Sequence, residues 1–119
     1  MAIELQITTV ANSSWGNYQE IVSVAGIDIP NNKGKLRANN CMVAFFVSAE
    51  EKAKGTPPVK VLNYSLGNTL YTTGDYTALY NYLITLSKER GIWNSNTDEW
   101  KPSLVGGVII PNAPDPQEG

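Results

Sequence analysis

The sequence predicts an α+β fold, a small antiparallel β-sheet of about five to six strands, able to close in a barrel-like way, with one packed α-helix near residues 76–90. Three observations carry this expectation. Several stretches alternate apolar and polar residues with a period of two, as half-buried strands do. One stretch instead repeats its apolar residues with a helical period. Between them stand short clusters of Gly, Pro, Asn and Ser, the usual turn chemistry. The chain of 119 residues is 42% hydrophobic with nine each of Ile, Leu and Val, enough for one core. Its charged fraction of 17% and net charge of −2 are too low for whole-chain disorder. Residues 1–110 read as a single globular domain, and residues 111–119, with Pro111, Pro114 and Pro116, as an extended Pro-rich C-terminal tail.

Taken in order, residues 3–10 place Ile3, Leu5 and Ile7 on one face and Glu4, Gln6 and Thr8 on the other. Asn12-Ser13-Ser14-Trp15-Gly16-Asn17 follows as a turn. Residues 18–25 then alternate again, with Tyr18, Glu20, Val22 and Val24 against Gln19, Ile21 and Ser23, as a partner for the first strand. Residues 31–40 read as a polar loop. The apolar run 41–48 suits a strand buried on both faces, and 49–55 a single helical turn stopped by Thr56-Pro57-Pro58. Residues 59–66 alternate, Gly67-Asn68 is a turn dipeptide, and 69–72 would be the returning strand. In the helix, Tyr76, Leu79, Tyr80, Leu83 and Leu86 form one stripe, Gly74-Asp75 offers the N-cap, and Lys88, Arg90 and Gly91 suit the C-terminus. Ile92-Trp93 leads into a loop at 94–98, and a last strand runs near 104–110.

The composition excludes much chemistry. Histidine is absent, so the chain holds no Ser-His-Asp or Cys-His nucleophile and no mixed His/Cys zinc site. Cys41 is the single cysteine, which rules out an intramolecular disulfide, and its apolar neighbours predict a buried core thiol. The carboxylate groupings Glu50-Glu51, Asp98-Glu99 and Asp115/Glu118 lie in charged or loop contexts, and no phosphate-loop, calcium-loop or nucleophile-elbow motif occurs. We expect no catalytic residue, no metal and no cofactor. No run reaches the roughly 18 apolar residues of a membrane span, and Met1-Ala2-Ile3-Glu4 does not open a secretory signal. Cytoplasmic synthesis without secretion is expected, in a host cytoplasm or virion if the source is viral.

Two features suggest function. Five of the six tyrosines, Tyr64, Tyr71, Tyr76, Tyr80 and Tyr82, lie between residues 64 and 82. Large rings with polar tips suit contact surfaces, and Tyr64, Tyr71, Tyr82 and Asn81 are the candidate interaction residues. The alternative for these rings is packing of the helix onto the strands. The second feature is the basic run Lys33, Lys35 and Arg37, spaced by two so that the cations share one side of an extended backbone. With Trp15 and Tyr18 as stacking platforms, it would make a small single-stranded nucleic-acid site. The alternative is a solvated hairpin loop.

The leading expectation is a non-enzymatic structural or protein–protein interaction module, a homo-oligomer or the binder of a protein partner. The short, Asn- and Thr-rich composition suits a self-assembling small viral or phage protein. Single-stranded nucleic-acid binding is the second choice. A carbohydrate or other small-ligand site built on the aromatic residues comes third.

Overall fold

The computed structural model describes residues 1–8, 13–28, 34–72, 74–85, 92–94 and 99–112, and their side chains except at 27–28, 92–94 and 99–100. Strands β1 (Ala2–Glu4), β2 (Tyr18–Asp28) and β3 (Lys35–Phe46) are followed by helix α1 (Ala49–Ala53), strand β4 (Lys60–Thr72) and helix α2 (Thr77–Thr85). Three-residue strands β5 (Ile92–Asn94), β6 (Glu99–Lys101) and β7 (Val108–Ile110) complete the order. The main sheet is antiparallel with strand order β4-β3-β2-β1-β7, and β5 and β6 pair separately. The fold is α+β, with an open sheet rather than a barrel. A thirteen-residue strand stands at one edge and a three-residue strand at the other, so the edges cannot close on each other.

The β1–β2 hairpin forms where the alternation predicts it. Its ladder continues beyond β1, from Leu5 N–H to the Asn17 carbonyl (3.1 Å) and from Ile7 N–H to the Gly16 carbonyl (2.9 Å). Gly16 has φ 85°, and a Cβ there would come within 2.2 Å of the Phe46 carbonyl oxygen, so only glycine lets the chain entering β2 lie this close to the end of β3. The expected alternation of residues 18–25 holds only as far as Ile21. The β2–β3 register shifts between Ile21 and Ser23, which leaves Val22 53% exposed and carries Val24 to the face of Ile21.

Two expected turns are strand instead. The polar loop assigned to 31–40 gives way at Lys35, where β3 begins. Lys35, Arg37, Asn39 and Asn40 belong to a strand whose face is partly solvated, and polar side chains are tolerated there. Gly67-Asn68 does not reverse the chain. Both residues have positive φ, 57° and 66°, the signature of a tight hairpin, yet they form a kink inside β4. Long β3 pairs with both halves, Ala38 with Thr69 and Asn40 with Ser65, so the extra β4 residues bulge out opposite Asn39. The β5–β6 pair also replaces part of the expected loop after Trp93.

The helices follow local signals. Ser48 caps α1 by accepting from Glu51 N–H at 3.1 Å, and Glu50 and Glu51 sit in its first turn. Helix α2 starts one residue later than expected, with Asp75 accepting from Thr77 N–H at 3.0 Å. Leu79, Tyr80 and Leu83 form its buried stripe, while Leu86, Lys88, Arg90 and Gly91 lie outside the described residues. The stripe packs on Ile3, Ile21, Cys41, Val43, Phe45, Leu62, Tyr64 and Leu66 from one sheet face. A smaller cluster on the opposite face joins Ala2, Tyr18, Ala44 and Phe46 to Ala49 of α1.

Tyr80, 2% exposed, reaches from α2 to the sheet, where its hydroxyl oxygen accepts from Ile21 N–H at 2.8 Å. Tyr80→Phe strands that buried donor, and the expected loss is about 1–3 kcal/mol in a urea unfolding series. Faster hydrogen exchange at the Ile21 amide accompanies it, while a Tyr80→Phe protein of unchanged stability would show that the bond contributes nothing.

Candidate functional site

The sheet changes width where β1 begins. Ile3 pairs with Gln19 and Glu4 with Tyr18, so β1 runs out beside Ile21, while β2 continues to Asp28. A cavity of about 460 Å³ occupies the resulting notch, lined by Met1, Glu20, Asp75, Tyr76, Tyr80 and Asn112 among others. Its walls come from the sheet, from the segment joining β4 to α2, and from the residues after β7.

Most polar groups of the notch already hold the fold. Glu20 Oε2 receives the Lys52 ammonium of α1 at 2.6 Å and the Tyr18 hydroxyl at 3.0 Å. Lys52 also lies 5.9 Å from the centroid of the Tyr18 ring, a cation–π arrangement over a buried aromatic. Asp75 Oδ1 accepts from both the backbone N–H and the hydroxyl of Thr77, at 3.0 and 2.6 Å. The Thr77 hydroxyl and then its N–H hold the Asp75 carboxyl below its ordinary pKa. Burial pushes the Tyr80 phenol upward, so it stays protonated. The notch thus offers carboxylate oxygens, neutral phenols and an amide, a lining suited to an ammonium group or to hydrogen-bonding ligands. No cluster of three or more metal-ligating side chains forms among the described residues.

The sequence-derived interaction residues divide. Tyr64 is 4% exposed and donates its hydroxyl to the Pro102 carbonyl at 2.6 Å, so it is an internal strut rather than a contact surface. Tyr71 is half-buried against Tyr76, with ring centroids 5.7 Å apart. Tyr82 covers the β4 kink, where a Cβ on Gly67 would stand 3.0 Å from its hydroxyl oxygen. Only Asn81 is exposed, and its carbonyl accepts from the Thr85 hydroxyl.

The nucleic-acid residues are not brought together. Lys33 lies outside the described residues. Lys35 and Arg37 stand at one end of β3, exposed and half-buried. Trp15 packs edge-on to Phe45 at 5.5 Å, and Tyr18 pairs with Phe46, both at the other end. The eight residue steps of strand from Arg37 to Phe45 span roughly 26 Å. Tyr18 is moreover 1% exposed and presents no free face for a base.

The sequence reading missed Glu20, Asp75 and Tyr80 as a group. Asp75 was legible only as a helix cap, and the Glu20–Lys52 pair joins residues 32 apart with no local signature. No family model, no curated protein and no solved structure matches this chain. No helix among the described residues is long and apolar enough to cross a membrane.

Cys41 is 1% exposed, and burial pushes its thiol pKa up to about 12. The native protein should therefore leave a thiol-titrating reagent unconsumed at pH 8, with one equivalent reacting after unfolding in guanidinium. Rapid reaction of the folded protein would contradict this placement.

Proposed function

We propose that the chain is a non-enzymatic structural module that acts by associating with copies of itself. The observation that supports this reading is an open sheet whose two faces are unequally covered among the described residues. Among the described residues, one face carries α2 and the main core, while the five-residue α1 packs on the other. Val61 and Val108 stand on that thinly covered face at 39% and 59% exposure, and Val22 is exposed at the bulge. These valines are separate positions, Val61 and Val108 on the two edge strands, and association that covered them would add apolar contact in a chain with only 17% charged residues.

Single-stranded nucleic-acid binding has no comparable support, because Lys35 and Arg37 stand at the opposite end of β3 from the rings of Trp15 and Tyr18. One oxygen of each notch carboxylate is engaged by Lys52, Tyr18 or Thr77 in holding the fold, which favours a structural role for these groups over an enzymatic one.

Light scattering behind size exclusion, over a concentration series from micromolar to millimolar, tests the proposal. The expected result is a mass that rises to a discrete multiple of the chain. A single-chain mass at every concentration overturns it.

A further inference from the structure

Arg37 is a charged residue in a place that ordinarily demands a partner. It lies on β3, which is paired on both sides, with Ile27 of β2 and Leu70 of β4 opposite it in register. Its side chain is half-buried, and its Nε is buried without a hydrogen-bond partner. A guanidinium stays ionised and can only donate, so burying part of it calls for an acceptor. The ion pairs among the described residues involve neither Arg37 nor Lys35. Asp75, three residues after Thr72, turns Oδ1 to Thr77 and pairs with neither cation. The other buried side-chain polar atom without a partner among the described residues, Gln19 Oε1, belongs to a neutral amide whose nitrogen already donates to the Leu5 carbonyl. Arg37 is therefore the group that lacks an anion.

Its neighbours supply the rest of a site. The β3–β4 register is regular from Lys35 to Ala38, so Lys35, Arg37, Leu70 and Thr72 share one face. Leu36 and Tyr71 take the other, where Tyr71 packs on Tyr76. Lys35 and Arg37 stand about 7 Å apart along the strand, so both long side chains reach one group. Thr72, exposed and directly opposite Lys35, adds a hydroxyl with its Cβ about 4.5–5.5 Å away. Leu70, 40% exposed opposite Arg37, offers an apolar wall for the arginine stem. We propose that this face binds a phosphate monoester. Arg37 donates its fork to two oxygens, Lys35 balances the second charge, and Thr72 donates to a third oxygen. A carboxylate or a phosphodiester carries a single charge, whereas a monoester carries about −1.5 to −2 at neutral pH and matches the two cations. This site does not depend on self-association.

Nitrogen-labelled protein titrated with phenyl phosphate at pH 7.5 and constant ionic strength tests the site by NMR, read at the Arg37 Nε–H and at the Lys35 and Thr72 amides. The expected result is a saturable shift at these three positions, with acetate leaving them in place. Arg37→Lys keeps the charge but loses the fork, and it should weaken binding about tenfold, as should Lys35→Ala. In the absence of phosphate, Arg37→Met should unfold at the same urea concentration as the wild type or a higher one, because the substitution removes an unpaired donor and no bond. A phosphoserine peptide run in parallel separates the sources of the group: tighter binding than phenyl phosphate places it on a protein, and equal binding places it on a small molecule. Resonances that stay still, or that shift equally with acetate, overturn the proposal. So does a strongly destabilised Arg37→Met protein, which would make the guanidinium a structural group. A single-stranded oligonucleotide without terminal phosphates that matches phenyl phosphate would overturn the monoester assignment.

Discussion

The bond from the Ile21 amide to the Tyr80 hydroxyl ties helix α2 to the sheet at the point where the β1–β2 ladder ends. Strand β1 has three residues and β2 eleven, so the ladder between them must end inside the sheet. An amide left there, buried and without a partner, costs about 1–3 kcal/mol. Tyr80 supplies the missing acceptor from a helix 59 residues further along the chain. Once its hydroxyl is held at that point, Leu79 and Leu83 fall over Cys41, Val43 and Leu62, and the segment from Gly74 to Tyr76 is drawn beside the end of β1. The notch is a direct consequence of how the ladder is terminated. Burial keeps the phenol protonated, so the bond does not titrate over the range in which the protein is handled.

On the thin face of the sheet, a polar contact does the corresponding work. Lys52 reaches from α1 to Glu20 with both side chains largely buried, and Tyr18 donates to the same carboxylate oxygen. Burying such a pair gives little net stability against an apolar alternative, but losing one partner leaves a costly unpaired charge. The contact therefore fixes where α1 sits more than it strengthens the fold. It also anchors the Glu20 carboxylate at the rim of the notch, where hydrophobic packing alone would not place a charge.

What the sequence made legible was whatever is decided locally. The stripe through Leu79, Tyr80 and Leu83, the Asp75 cap, the short helix after Ser48 and the apolar run ending at Phe46 all rest on neighbours a few residues apart. The Lys35–Asn40 half of β3 was hidden because a strand on a partly solvated sheet keeps polar residues and shows no clean alternation. Gly67-Asn68 misled because the backbone angles of a hairpin turn also suit a kink, and only the length of β3 decides between them. The site was less legible than the fold. Glu20 meets Lys52, and Tyr80 meets Ile21, across distances in sequence that periodicity does not report. Lys35 and Arg37 do alternate on one strand as their spacing implies, but nothing in their own neighbourhood reveals that Trp15 and Tyr18 belong to the far end.

The tyrosines between residues 64 and 82 acquire a different meaning from these contacts. Tyr80 ties α2 to β2, and Tyr82, two residues on, covers the kink of β4, so one helix grips both strands that flank β3. Tyr64 ties β4 to the chain between β6 and β7 through the Pro102 carbonyl. A small domain gains from such residues because each ring fills core volume while its hydroxyl satisfies a distant backbone group. Rings committed in this way are poor material for an adjustable binding surface.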